Sequence, residues 1–361
     1  MIAPYWKRRM PNLRKGRFRK TCRGMMRWTL AWALVLLFPL LASAQAPEMF
    51  NPASPDGSAI RDLFYLVMAI STVIFLLVIG ALVYFVVRFR DPPGAPRDDT
   101  EPPQIYGSQP IEIAWTLAPT LIVLVLSLVV IRSVIAMRAD PPTDESFRIR
   151  AVGHQWWWEF EYPEYGFTTA NELVIPVSDE ETAHEINLQL ESADVIHSFW
   201  VPKLAGKTDL VPARTNRMRL QANEPGLYEG RCAEYCGTQH ARMLIRVTAM
   251  PEADFEKWVE NQKLPAVVDA SVEAGRKIFM DQACANCHNI RGEPAHGKFG
   301  PDLTHLMSRD MIAAGVLENN RENLAAWLTD PDQVKPGSRM PNMRLSPTEV
   351  KQLVDYLMTL E

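Results

Sequence analysis

Two long apolar runs stand in the first third of the chain, and the patterning changes completely after residue 146. Leu63–Val87 holds no charged residue and exceeds the roughly 20 residues needed to cross a bilayer core. Ile113–Ile131 is a second such run, interrupted only by Pro119. Together they predict a transmembrane hairpin over 45–146, with spans at about 63–87 and 113–135. Arg88, Arg90 and Arg97 lie in the loop between them, whereas residues 45–60 hold no Lys or Arg. By the positive-inside rule that loop is cytoplasmic and both ends face outward. Arg132 and Arg138 pull the other way. A shorter apolar run, Trp28–Leu41, follows a basic stretch and precedes Ala42-Ser43-Ala44. That order is the signature of a secretory signal peptide over 1–44, with a retained anchor as the alternative and Met25 as an alternative start.

From Phe147 the chain alternates in short runs such as F-R-I-R-A-V, H-E-I-N-L-Q-L and R-M-L-I-R-V-T-A-M, with Pro and Gly between them. Period-2 alternation with such punctuation predicts an antiparallel β sandwich or barrel over 147–258. A linker is expected at 259–270, and helices with loops over 271–361. Ser346-Pro347-Thr348-Glu349 reads as a capping box with Pro at the first helical position. Leu353, Tyr356, Leu357 and Leu360 then follow at helical spacing.

Charge narrows the class of partner. The whole chain carries 38 Lys+Arg against 42 Asp+Glu, but residues 1–44 hold ten of the basic residues and no acidic one. Without them, 28 basic residues face all 42 acidic ones, a formal charge of −14. Such a chain is unsuited to nucleic acid and suited to a cationic protein partner. Residues 268–361 alone hold ten Lys/Arg against thirteen Asp/Glu. Both soluble parts being acidic, strong steering between them is not expected, and the linker is left to supply their proximity.

The chemistry concentrates in two short segments. Residues 232–243 read C-A-E-Y-C-G-T-Q-H-A-R-M and place Cys232, Cys236, His240 and Met243 close together. Thiolate and thioether are soft donors, and a terminal Met favours copper over zinc. The same two cysteines in an exported domain could instead pair as a disulfide. His197, in A-D-V-I-H-S-F-W, is a candidate further ligand or an ordinary edge histidine. The second segment, C-A-N-C-H from Cys284 to His288, is the attachment signature of a c-type haem. Zinc at this site would need a fourth ligand that the downstream sequence does not offer, His296 and His305 being the only later histidines.

These segments resemble a known family. G-H-Q-W-W-W, D-V-I-H-S-F-W-V-P and C-A-E-Y-C-G-T-Q-H-A-R-M are closely similar to subunit II of haem–copper cytochrome c oxidases, from the first span to about residue 255. The resemblance implies a multidomain fold: a two-helix transmembrane hairpin followed by an all-β, Greek-key cupredoxin domain. It also implies a binuclear copper centre, CuA, held by His197, Cys232, Cys236, His240, Met243 and the backbone carbonyl of Glu234. By the same resemblance the Glu234 side chain contributes to a magnesium site shared with the catalytic subunit, and Trp156 is the point of electron entry. E-x-x-W-T-x-x-P is matched from Glu112, which implies a glutamate at the mouth of a proton channel; a solvated carboxylate is the plainer alternative. Strand alternation would place Trp156 and Trp158 on one face with His154, and Trp157 on the other.

Residues 271–361 resemble class I cytochrome c, an all-α domain, through E-A-G-R-K-I-F, C-A-N-C-H, G-P-D-L and K-P-G-S-R-M-P. That resemblance implies covalent haem on Cys284 and Cys287, His288 as proximal ligand oriented by the Pro301 carbonyl, and Met340 as the sixth ligand. Met343 is the next candidate, and Met307 is expected to pack. The implied role is electron entry into a proton-pumping terminal oxidase. The implied partners are catalytic subunit I, other oxidase subunits, and a cytochrome c or other periplasmic donor. The implied location is a bacterial inner membrane with both soluble domains outside. A nitric- or nitrous-oxide-reductase-like complex and a copper-delivery protein are the alternatives.

Overall fold

A computed structural model describes residues 48–90, 104, 106–138, 147–178, 184–267 and 269–361. The expected signal peptide and Arg97 lie outside the described residues. Helix α1 (Pro55–Arg88) begins with Ser54 as N-cap, whose side chain accepts from Gly57 N at 2.9 Å, and with Pro55 in its first turn. It starts a full two turns before the apolar run and ties itself there to the copper-motif domain. Asp56 pairs with Arg219 at 2.6 Å, and Ser54 Oγ donates to the Leu204 carbonyl. Helix α2 (Gln109–Arg138) is the second span and carries Pro119 inside it. Both helices expose apolar side chains over most of their length, as a lipid-facing or partner-facing helix does.

Ten strands follow: β1 (Arg148–His154), β2 (Trp157–Tyr162), β3 (Phe167–Ala170), β4 (Glu172–Pro176), β5 (Ile186–Ser192), β6 (His197–Trp200), β7 (Thr208–Leu210), β8 (Asn216–Leu220), β9 (Gly226–Cys232) and β10 (Leu244–Met250). They form two five-stranded sheets, in the orders β3-β2-β1-β5-β8 and β4-β10-β9-β6-β7. Ile149, Trp158, Phe160 and Leu188 from the first sheet share one core with Ile175, Phe199, Ile245 and Val247 from the second. The sandwich is not wholly antiparallel, because β1–β5 and β4–β10 are parallel pairs. In each pair the chain crosses to the other sheet before it returns, and alternation carries no signal of strand direction.

Helix α3 (Glu252–Lys263) buries Phe255 and Val259 against this core. It runs past residue 258, because Phe255, Val259 and Gln262 keep helical spacing through the expected start of the linker. The last domain holds α4 (Glu273–Asp281), α5 (Cys284–Cys287), α6 (Arg321–Thr329), α7 (Pro331–Val334) and α8 (Pro347–Leu357). The capping box of α8 is formed, with Ser346 and Glu349 each accepting the other's backbone N–H. Gly275 lets α4 cross α8, since a Cβ there would stand 2.0 Å from the Gln352 carbonyl oxygen. Two two-residue ladders, β11–β12 (Asn289–Ile290, Ala295–His296) and β13–β14 (Met311–Ile312, Leu317–Glu318), are the only strands described in this helical domain.

Residues 48–361 form one compact unit, and the two soluble domains are packed against each other rather than merely tethered. Arg246 on β10 reaches Asp310 at 3.1 Å, and the Glu172 carboxylate accepts from Met311 N at 2.9 Å and Asp310 N at 3.2 Å. Trp157 and Ala170 bury a small apolar contact with Ala314. Short-range geometry therefore does what long-range charge could not.

Candidate functional site

The β9–β10 connection brings the soft donors together. Cys232 ends β9, His240–Arg242 form a single helical turn, and Met243 immediately precedes β10. From the neighbouring strand β6, His197 projects into the same space. Donor atoms of His197, Cys232 and Cys236 lie within 4.8 Å of one another. Cys232 Sγ is 3.2 Å from the Glu234 carbonyl oxygen, 3.8 Å from Cys236 Sγ and 4.0 Å from His197 Nδ1. Cys236 Sγ is 3.7 Å from His240 Nδ1 and 3.9 Å from Met243 Sδ. The two thiols are free, so the disulfide alternative is not the arrangement here. Two thiols, two imidazoles, a thioether and a carbonyl converging at these distances fit soft-metal binding.

The electrostatics prepare this set for ligation. The neighbouring Cys236 thiol favours the thiolate on Cys232 and holds it well below the usual thiol range, against the opposing effect of burial. Burial disfavours charge on His197, but hydrogen bonds with Asp194 and Cys232 outweigh it and raise the imidazole. Asp194 Oδ1 holds His197 Nε2 at 2.8 Å, which leaves Nδ1 turned toward the sulfurs. Sequence reading missed Asp194, though its position three residues before His197 was a usable signal. A carboxylate behind a ligating imidazole fixes ring orientation. Asp194→Asn is therefore expected to weaken copper retention by roughly 10–100-fold, measured by competition with a copper chelator, with haem content unchanged.

Trp156 lies in the two-residue turn between β1 and β2, not in a strand. Its indole Nε1 donates to the Cys236 carbonyl at 2.9 Å, and Gln155 Nε2 donates to the same oxygen at 2.7 Å. This departs from the expected alternation. Trp158 is in the core, edge-on to Phe199 and His197, while His154 stacks on Trp157 with centroids 4.2 Å apart. The hairpin turn interrupts the period-2 rule, so Trp156 is freed from either face. Gly237, at φ +116, permits the close approach, since a Cβ there would be 2.9 Å from the Trp156 ring.

On the far side of Trp156 is a cavity of about 640 Å³. Cys284, Cys287, His288, Met340 and Met343 line it, and so do Gln155 and Trp156 of the sandwich. Cys284 and Cys287 sit at the two ends of the single-turn α5, where an i, i+3 spacing places both thiols on one face. His288 Nδ1 donates to the Pro301 carbonyl at 2.8 Å, leaving Nε2 for a metal. Burial holds the His288 imidazole below its ordinary value, the neutral form a ligand needs. Met307 packs against the domain core and is not among the lining residues. His305 is taken up by the Glu361 and Leu264 carbonyls. Arg309 is buried in the cavity wall, donates to the Asp302 carbonyl, and leaves its Nε without a partner among the described residues. A buried cation beside an apolar cavity asks for an anionic group, which a porphyrin's propionates provide. The residues present thus fit a covalently attached haem.

Two other sequence candidates lie elsewhere or contribute differently. Glu112 is in the first turn of α2, well before either cluster in the chain, and its carboxylate accepts from Ser108 N at 3.2 Å. The Glu234 side chain is half-buried, while its carbonyl oxygen faces Cys232.

Three family models match successive parts of the chain. Residues 42–132 match the cytochrome c oxidase subunit II transmembrane domain, 147–250 its periplasmic domain, and 272–361 cytochrome c. Cytochrome c oxidase subunit 2 of Alkalihalophilus pseudofirmus is 34% identical over 320 residues, covering 86% of this chain and 90% of the relative. The subunit 2 of Bacillus subtilis is 32% identical over 360 residues, covering 91% and 98%. That of Bacillus sp. strain PS3 is 33% identical over 363 residues, covering 94% and 99%. With its membrane helices, β sandwich and C-terminal cytochrome c domain, the chain belongs to the cytochrome c oxidase subunit II family.

Proposed function

We propose that the chain is the electron-entry subunit of a proton-pumping terminal oxidase, taking electrons at its cytochrome c domain and passing them through its copper domain to a haem–copper catalytic subunit. The observation that carries this reading is the placement of Trp156, which lines the haem cavity and donates to the Cys236 carbonyl. His197, Cys232, Cys236, His240, Met243 and the Glu234 carbonyl would hold two coppers. Cys284, Cys287 and His288 would hold the haem, with Met340 as sixth ligand. When bound at these residues, copper and haem would supply one-electron carriers.

The chain's own residues orient and shield these groups. Asp194 fixes His197, the Pro301 carbonyl fixes His288, and Met243 and both copper-loop cysteines are held out of water. Burial of the donors suits retention of metal and speaks against a copper-delivery protein. Oxygen reduction belongs to the partner subunit. A cytochrome c or another periplasmic protein would be the donor, in a bacterial inner membrane with both soluble domains on the outer face. Glu234 would add a carboxylate to a magnesium site at the boundary with the catalytic subunit, and Glu112 would stand at a proton channel's mouth.

The test is metal analysis and spectroscopy of the purified complex. The expected result is two coppers per covalent haem in this chain, with a near-infrared mixed-valence band and a low-spin His/Met haem spectrum. A single copper, or zinc in its place, would defeat the assignment.

A further inference from the structure

The segment between α7 and α8 carries Met340, and the six residues before it grip the copper loop. Arg242 donates to the Val334 carbonyl at 2.9 Å, and Gln239 donates to the Pro336 carbonyl. Gly337 abuts Thr238, since a Cβ on it would lie 3.1 Å from the Thr238 methyl. All three partners fall between Cys236 and Met243. Two basic side chains complete the contact. Lys335 is 4% exposed, and its amine donates to the Trp156 carbonyl at 2.8 Å and to the Ala313 carbonyl at 3.3 Å. One acceptor belongs to the copper domain and the other to the haem domain. Arg339 donates to Gln155 Oε1 and places its guanidinium 5.8 Å from the Trp156 ring centre. Gln155 and Trp156 in turn both donate to the Cys236 carbonyl.

We propose that Lys335 and Arg339 are positioning residues that clamp the Gln155-Trp156 turn between the haem cavity and the copper loop, so that the haem domain works from one docked position and not as a tethered shuttle. The proposal rests on the reading above that electrons pass from the haem domain to the copper domain.

The physical argument concerns what each contact costs and what it fixes. Burying an amine is expensive unless its hydrogens are taken up, and here one carbonyl from each domain accepts from it. Neither acceptor alone would hold the group, so the bond is satisfied only in the docked arrangement. Arg339 adds a cation over the Trp156 face at 5.8 Å, inside the roughly 6 Å within which such pairs attract. Because both domains are acidic, no long-range field would restore the pairing after a separation. Electron tunnelling falls steeply with distance, so loosening this turn slows transfer even when both centres are intact.

The experiment uses the complete oxidase carrying Lys335→Met with Arg339→Gln, the first change keeping the buried volume. Haem c is reduced by a photoreductant pulse, and its reoxidation by copper is followed in one turnover, at several solvent viscosities. The wild type is expected to transfer at a rate independent of viscosity. The double variant is expected to transfer more slowly and to become viscosity-dependent. Its haem and near-infrared copper spectra should be unchanged, while amide exchange rises in 236–243 and 334–340. Arg339→Gln alone, at an exposed position, is expected to act in the same direction to a smaller degree, and it secures the test against misfolding of the double variant. A wild-type rate in both variants overturns the clamp. Viscosity-dependent transfer in the wild type overturns it in favour of a shuttle and leaves the electron-entry reading standing. No haem-to-copper transfer in the wild type overturns that reading as well.

Discussion

Cys232→Ser is expected to abolish the near-infrared mixed-valence copper signal while covalent haem remains at its normal level. Cys232 sits at the middle of the donor set, in reach of Glu234, Cys236 and His197. A serine hydroxyl stays protonated at neutral pH and is a hard donor, so it neither bridges nor attracts copper as a thiolate does. The loss should therefore exceed the roughly 10–100-fold that a displaced supporting group costs. Met243→Leu is the internal control. Met243 is fully buried and the exchange nearly conserves volume, so packing suffers little; copper is retained with a shifted spectrum. Haem attachment persists in both variants because Phe279, Leu353 and Tyr356 anchor a core separate from that of the sandwich. Near-infrared absorption and haem staining of the same preparation read the two outcomes. A normal copper band in the serine variant, or loss of haem along with copper, would count against this assignment.

Removing the haem ligands is expected to stop oxidation of the physiological donor while leaving the copper domain reducible. His288→Ala would remove the proposed proximal ligand, the imidazole that donates to the Pro301 carbonyl. Met340→Ala leaves that imidazole alone and would remove the proposed sixth ligand, which is expected to lower the haem potential. In both, a small artificial reductant that reaches copper directly should still support oxygen uptake. The structural reason is that Trp156 is half-buried beneath residues 334–340, so a protein donor meets the haem domain first. Steady-state oxygen uptake with reduced donor measures this. Unchanged uptake without a working haem would mean that the donor bypasses the fused domain.

Most of the donors proposed for the two centres could be picked out because they are close neighbours in the chain, while His197 and Met340 stand outside those segments. Cys232 to Met243 and Cys284 to His288 are short segments, and covalent spacing alone confines them. Membrane spans were legible for a similar reason, since length and unbroken apolarity are local properties. The α8 capping box and the close crossing at Gly275 were read from single residues whose physics permits few alternatives.

What the sequence left open depends on register and on contacts between distant segments. Alternation picked out some of the sandwich strands, β1, β5 and β10 among them, but not the parallel β1–β5 and β4–β10 pairs, because a strand's pattern reads the same in either direction. The Trp156-Trp157-Trp158 run looked like a strand, and only the β1–β2 pairing turned Gln155 and Trp156 into a hairpin loop. The contact between Lys335 and the Trp156 carbonyl joins residues 179 positions apart. Nothing within either segment encodes it. By itself the sequence determined which atoms could bind copper and haem; the tertiary structure decided how the two sites face each other, because that relation is set by the packing of two domain surfaces and not by the spacing of residues within either.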